Sequence, residues 1–162
     1  MSRIRTAFYR SAVDNDTALM AYDYFENNIQ WEDGVRTRTG GVTRKAKPMN
    51  LGDDDLLDNL IFNVLNKIGI QQVFIVGIYL NYYRDGNDYT PTHSHPGMKQ
   101  VVISLGTSRV LTMGKGQYTM NNGDVIIFGS SQHGVPKDPM CSEGRISIAL
   151  FLLKDPLSKS IF

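Results

Sequence analysis

Apolar residues recur at helical spacing in two early segments of the chain and fall into short strand-like runs in the remainder. From Asp14 to Asn28 the sequence places Ala18, Leu19, Tyr22 and Phe25 three or four residues apart, with Ile29 just beyond. Asp14 or Asp16 is available there as an N-cap. A second amphipathic segment follows Asp53-Asp54-Asp55, with Leu56, Leu57, Leu60, Ile61, Val64, Leu65 and Ile68 along one face and Gly69 in the capping position. Acids at a helix start and glycine just past its end match the dipole and the left-handed cap.

Beyond Gly69 the period changes. Val73–Tyr83 is rich in β-branched and aromatic residues and stops at the turn cluster Arg84-Asp85-Gly86-Asn87. Strands are predicted at Val101–Leu105, Arg109–Met113, Gln117–Met120, Val125–Phe128 and Ile146–Leu153, most of them divided by glycine-containing turns. Helices first and short strands afterwards predict a mainly β domain with N-terminal helices, an antiparallel sandwich or barrel. One domain over 1–162 is expected, with helices and a lid in 1–70 and the β core in 71–155.

Composition narrows the function without naming it. In 162 residues, 17 Lys and Arg balance 16 Asp and Glu, so no global charge pulls the chain toward nucleic acid. The longest nearly apolar stretch, Val73–Leu80, is far short of the ~20 residues of a membrane helix, and no secretory signal is seen. These features predict no membrane partner and a cytoplasmic location. A single cysteine, Cys141, rules out a thiolate cluster. Three histidines, His93, His95 and His133, are then the whole imidazole supply for a metal.

His93-Ser-His95 puts two imidazoles at i and i+2, on one face of an extended strand. Imidazole is the commonest neutral ligand for Fe, Zn, Cu or Ni. His133 lies beyond the strand Val125–Phe128, where a jelly roll would return the chain to its earlier strand. Against a metal site stands the frequency with which histidines are merely surface or satisfied core residues.

Leu80-Asn-Tyr-Tyr-Arg-Asp-Gly86, His93, Ile103-Ser-Leu-Gly-Thr-Ser-Arg109, Gly123-Asp-Val-Ile-Ile-Phe128, His133-Gly-Val-Pro136 and Arg145-Ile-Ser147 stand in one order. Together they resemble the AlkB-type 2-oxoglutarate/Fe(II) dioxygenases over about residues 75 to 153. Trp31 and the segment Lys47–Asp53 are similar, more weakly, to that family's nucleotide-recognition lid. The resemblance implies a double-stranded β-helix (jelly roll) holding Fe(II), with His93 as the first ligand and His133 as the last. It implies that Asn81, Tyr83 and Arg145 bind 2-oxoglutarate. The implied chemistry is hydroxylation or demethylation of a nucleic acid base (DNA or RNA) or nucleotide-like substrate, in a compact phage, viral or bacterial version of the enzyme.

Two departures qualify that picture. The family's H-x-D is here His93-Ser-His95, so an imidazole replaces the carboxylate. Three readings of His95 stay open. It completes a three-His site; or it turns away while Asp85, Asp88 or Asp124 supplies the carboxylate; or activity is lost or altered and the fold serves as a binding module or holds zinc. The second departure is Phe151, at the position of the family arginine that pairs with the distal carboxylate of 2-oxoglutarate. Arg109 is a candidate substitute.

From Gly34 to Asn50 the chain carries Arg36, Arg38, Arg44, Lys45 and Lys47 and reads as exposed hairpin or loop. A solvated loop explains these cations by charge alone. At the family's lid position, Arg36, Arg38 and Arg44 would instead hold phosphates while Trp31 stacks on a base. Arg3, Arg5 and Arg10 would extend the patch.

Overall fold

A computed structural model of the chain describes residues 6–70 and 73–154. Its elements run β1 (Ala7–Tyr9), α1 (Asn15–Asn28), β2 (Glu32–Asp33), β3 (Lys45–Met49), α2 (Asp55–Lys67), β4 (Val73–Tyr83), β5 (Thr90–His93) and β6 (Lys99–Gly106). They continue as β7 (Arg109–Met113), β8 (Gly116–Met120), β9 (Val125–Phe128), β10 (His133–Val135) and β11 (Arg145–Lys154). Arg3 and Arg5 lie outside the described residues. No helix among those described is long and apolar enough to cross a membrane.

Both helices start where their capping residues stand. The Asp14 carboxylate accepts the Thr17 amide at 3.0 Å, and Asp54 accepts that of Leu57 at 2.9 Å. Each satisfies one of the orphan donors of a first turn. Helix α2 stops at Gly69, whose φ of +75° only glycine adopts without strain.

The strands form two sheets. The larger has seven strands in the order β1-β9-β6-β11-β4-β3-β2, and the smaller has four in the order β5-β10-β7-β8. All pairings are antiparallel, giving the mainly β jelly roll with N-terminal helices that the sequence predicts. The long strands β4, β6 and β11 pair side by side at the centre of the larger sheet.

Alternation along these three strands splits the interior. Ile78, Leu80, Val101, Ile103, Leu105, Ile146, Ile148 and Leu150 pack against Ala18, Ala21 and Phe25 of α1 and Leu57, Leu60, Ile61, Val64 and Leu65 of α2. The intervening residues face the smaller sheet. There Tyr83, Val102, Ala149, Ile126 and Phe128 meet Leu111, Met113, Met120 and Val135 in a second, smaller apolar cluster.

Two expectations change. The segment after Gly34 is not loop throughout. An Arg36–Val42 bridge makes a short hairpin, and Lys45–Met49 then becomes strand β3 on the flank of β4, with Thr43, Arg44 and Ala46 buried. Its charge-rich composition masks the register that buries alternate residues. Likewise His133 does not merely follow a strand. It opens β10, a three-residue strand too short to carry a periodic signal.

Candidate metal centre and arginine-lined cavity

Strands β5 and β10 pair antiparallel with His133 directly opposite His93, which sets the two rings 4.4 Å apart between centroids. Gly134 permits this approach, because a Cβ there would lie 2.8 Å from the Thr90 carbonyl oxygen. His95 falls just past the end of β5, on the loop to β6, yet its ring stands 4.8 Å from that of His93 and 5.7 Å from that of His133. The i, i+2 relation thus brings the first two rings together without a continuous strand beneath both.

One nitrogen from each of the three rings lies within 4.8 Å of the others. Two nitrogens each ~2.1 Å from one ion span at most about 4.2 Å, so the rings need to close slightly to share it. Their orientation suits the task. His93 Nδ1 lies 2.8 Å from the Pro91 carbonyl oxygen and His133 Nδ1 lies 2.9 Å from that of Ser131. A carbonyl oxygen only accepts, so each Nδ1 carries the proton and each Nε2 keeps its lone pair for a ligand. Burial, reinforced by the neighbouring imidazoles, pushes the His95 and His133 pKa values down and favours the neutral, coordinating form. Phe128 packs on His133 at 4.7 Å and Phe151 on His95 at 5.0 Å, closing the apolar side of the cluster.

Carboxylates are missing from this group among the described residues. The Asp88 carboxylate is clamped by Arg84 at 2.8 and 2.9 Å. Asp85 accepts the Asn87 amide, and buried Asp124 accepts those of Ser11 and Asn121. All three are committed to holding turns.

The histidines edge a cavity of about 540 Å³ between the sheets. Asn81, Tyr83 and Arg145 line it as well, on the cavity-facing register of β4 and β11. Arg145 is almost wholly buried, with its Nε donating to Ser104 Oγ at 2.8 Å and its Nη1 finding no partner. Burial lowers its pKa, the direction expected of a desolvated cation without a carboxylate. Tyr83 presents its ring 5.4 Å from the guanidinium carbons of both Arg145 and Arg109, and its hydroxyl shares a 2.7 Å hydrogen bond with Thr90. Gln100 also lines the cavity, and its buried Nε2 is unpartnered. Two unsatisfied buried donors in one lining are the arrangement a bound carboxylate would complete.

The remaining candidates separate. Arg109 does not line the cavity: its Nη1 and Nη2 donate to the carbonyls of Asp85, Asp88 and Pro136 at 2.8–3.0 Å and tether loops, and although its buried Nε has no partner it does not stand in for the arginine missing at Phe151. Trp31 packs on Tyr82 at 5.2 Å in the helix-side core, across the sheet from the cavity, and is not available there to stack on a base. Arg36 and Arg38 are exposed on the hairpin, away from the lining, and Arg36 pairs with Asp33. Lys45 pairs with the same Asp33 and Lys47 with Glu32, so the stretch that is basic in sequence is largely neutralised by the strand beside it. Arg44 alone of the basic segment reaches the cavity, where it is buried.

Gln100 and Ser147 are cavity residues that sequence reasoning passed over. A signal was present: Gln100 opens and Ser147 interrupts an apolar run, in phase with Ser104 and Arg145 respectively.

No protein-family model matches the sequence, and no curated protein matches it significantly. Solved structures do share its fold. SnoN, a non-haem α-ketoglutarate-dependent epimerase from nogalamycin biosynthesis, superposes with a TM-score of 0.72 at 10% identity, over 94% of this chain and 78% of its own. A 2OG-Fe(II) oxygenase family oxidoreductase from Burkholderia pseudomallei gives 0.61 at 17% identity, over 91% and 84%. A Pseudomonas putida prolyl-4-hydroxylase gives 0.59 at 12% identity, over 92% of each chain. At these identities the likeness establishes the fold, and function has to be argued from the site.

Proposed function

We propose that this protein is a non-haem Fe(II)- and 2-oxoglutarate-dependent oxygenase whose metal is held by three histidines. The observation that carries the reading is the placement of His93, His95 and His133, with their lone pairs free, on the same cavity as an uncompensated Arg145. SnoN, which has the same fold, has been solved with Fe3+ and α-ketoglutarate, and this lends the cofactor assignment support. The donor set fits: imidazoles suit Fe(II), and the unpartnered Arg145 and Gln100 nitrogens suit a carboxylate.

When bound, Fe(II) and 2-oxoglutarate supply dioxygen activation for the oxidation of a substrate C–H bond. The chain's own residues do the rest. His93 and His133 are oriented by the Pro91 and Ser131 carbonyls. Arg145 would hold an acid group of the cosubstrate from the buried end, with Tyr83 and Ser104 fixing the guanidinium. Phe128, Phe151 and Val102 line the cavity and its metal end with apolar surface and keep water out. Three neutral ligands leave the full metal charge uncompensated by protein, which sets this centre apart from one with a carboxylate ligand.

An AlkB-like nucleic acid or nucleotide substrate is the alternative to the small acid argued below. It draws on the order of sequence motifs, and it has to contend with the ion-paired lid cations and the inward-packed Trp31.

The test is turnover. Protein reconstituted with Fe(II) is expected to convert 2-oxoglutarate to succinate, to bind one metal per chain and to lose both properties in His133→Ala. Stoichiometric zinc with activity indifferent to oxygen would replace the reading with a hydrolytic one, as three histidines around zinc with an open position also serve hydrolysis.

A further inference from the structure

Of the two carboxylates of 2-oxoglutarate, one would pair with Arg145 and the other would lie toward the metal, and the cavity holds a further cation beyond these. Among the described residues its lining includes two guanidinium groups, Arg44 and Arg145, and no Asp or Glu. Arg44 is 7% exposed. Its Nε donates to Asn81 Oδ1 at 2.7 Å and its Nη1 to Thr43 Oγ1 at 3.2 Å, so among the described residues its hydrogen bonds go to neutral oxygens. Every other described cation of its segment whose contacts are given has a carboxylate: Arg36 and Lys45 share Asp33, and Lys47 has Glu32. A buried cation that lacks a counter-charge is costly to keep unless a ligand supplies one.

The two arginines also sit at different depths. Arg145 is 1% exposed and enclosed by β4, β6 and Tyr83. Arg44 precedes β3 on the flank of the sheet, and exposed Val35 of the same segment lines the cavity with it. Asn81 links the two ends: its Oδ1 holds Arg44, and its Nδ2 is 3.5 Å from Ser147 on the strand that carries Arg145.

We propose that Arg44 is a second anion-binding residue of the cavity and that the molecule acted on is a small organic acid whose carboxylate pairs with it. The inference rests on the oxygenase reading for the word substrate, but the acid subsite itself does not need the metal. Cavity walls of Tyr79, Val102, Leu111 and Phe151 suit an apolar body behind that carboxylate. Aliphatic and aromatic monocarboxylates are the class this combination recognises.

The test is calorimetric titration of the full chain with a panel of C2–C8 aliphatic and aromatic monocarboxylates and their methyl esters. It is run with saturating 2-oxoglutarate and Fe(II) under nitrogen, and again on metal-free protein. At least one acid is expected to bind about tenfold or more tightly than its ester. Arg44→Gln should abolish that preference and leave 2-oxoglutarate affinity in place, while Arg145→Gln should do the reverse. Arg44→Lys should retain part of the preference, and a folded thermal transition is required of each variant. The proposal is overturned if no acid outbinds its ester, if Arg44→Gln keeps the preference, or if Arg44→Gln loses 2-oxoglutarate as Arg145→Gln does. Failure of the wild type to bind 2-oxoglutarate would sink the oxygenase reading separately, and the metal-free titration would still decide for or against the acid subsite.

Discussion

The two faces of strands β4, β6 and β11 come from the same residues of sequence, one position apart, and do opposite work. The face under the helices is apolar at Ile78, Leu80, Ile103, Leu105, Ile146, Ile148 and Leu150. The face toward the smaller sheet carries Asn81, Tyr83, Gln100, Ser104, Arg145 and Ser147 among its apolar residues. The first face is filled by the side chains of α1 and α2, though the Trp31 indole Nε1 packed there is also buried without a partner. The second is left with buried donors that have no partner, so its satisfaction depends on what binds. Stability and binding are thereby assigned to alternate residues of the same strands.

Substitutions that separate stability from binding test this division. Ile148→Ala, in the helix-side core, is expected to cost about 2–5 kcal/mol in chemical denaturation with unchanged metal stoichiometry in the folded fraction. Loss of metal without loss of stability would break the comparison. On the other face, Arg145→Gln should weaken 2-oxoglutarate binding by about 1.5–3 kcal/mol in calorimetry while leaving stability level or improved, since it removes a buried cation without a counter-charge. A strongly destabilised variant would mean that the arginine serves the fold. Smaller again, Asp54→Ala should cost about 1 kcal/mol by removing the α2 cap, with no effect on either ligand.

The smallest effect concerns the flanking ion pairs. Lys45 holds the Asp33 carboxyl below its ordinary pKa, so their attraction is present at neutral pH and fades as pH falls through the Asp33 value. NMR titration should place Asp33 below a free aspartate and return it toward that value in Lys45→Ala. No change would show the pair to be idle, and the basic segment would then be freer to meet phosphates than its geometry implies.

Much of this was legible along the chain. The α2 face, the strand at Val73–Tyr83 and the strand from Ile146 are read directly, because burial on one side imposes period 3.6 or 2. His93 and His95 are neighbours at any backbone geometry near extended. Asn81, Tyr83 and Arg145 are in phase with one another on paired strands, which the motif order anticipates. Less legible were β3, whose charges disguise its alternation, and β10, whose three residues are too few to alternate.

The sequence by itself therefore determined the two helices and the longer strands, which side of each is apolar, and that three imidazoles are all a metal could use. Only the tertiary structure decided who meets whom. It set His133 opposite His93, spent Arg109 on three carbonyls and neutralised Lys45 and Lys47 with acids from β2. It turned Trp31 into the helix-side core and brought Arg44 into the cavity. The reason is physical: local period encodes the face a side chain takes, whereas charge compensation and metal geometry depend on strand order, which contacts between residues distant in sequence establish.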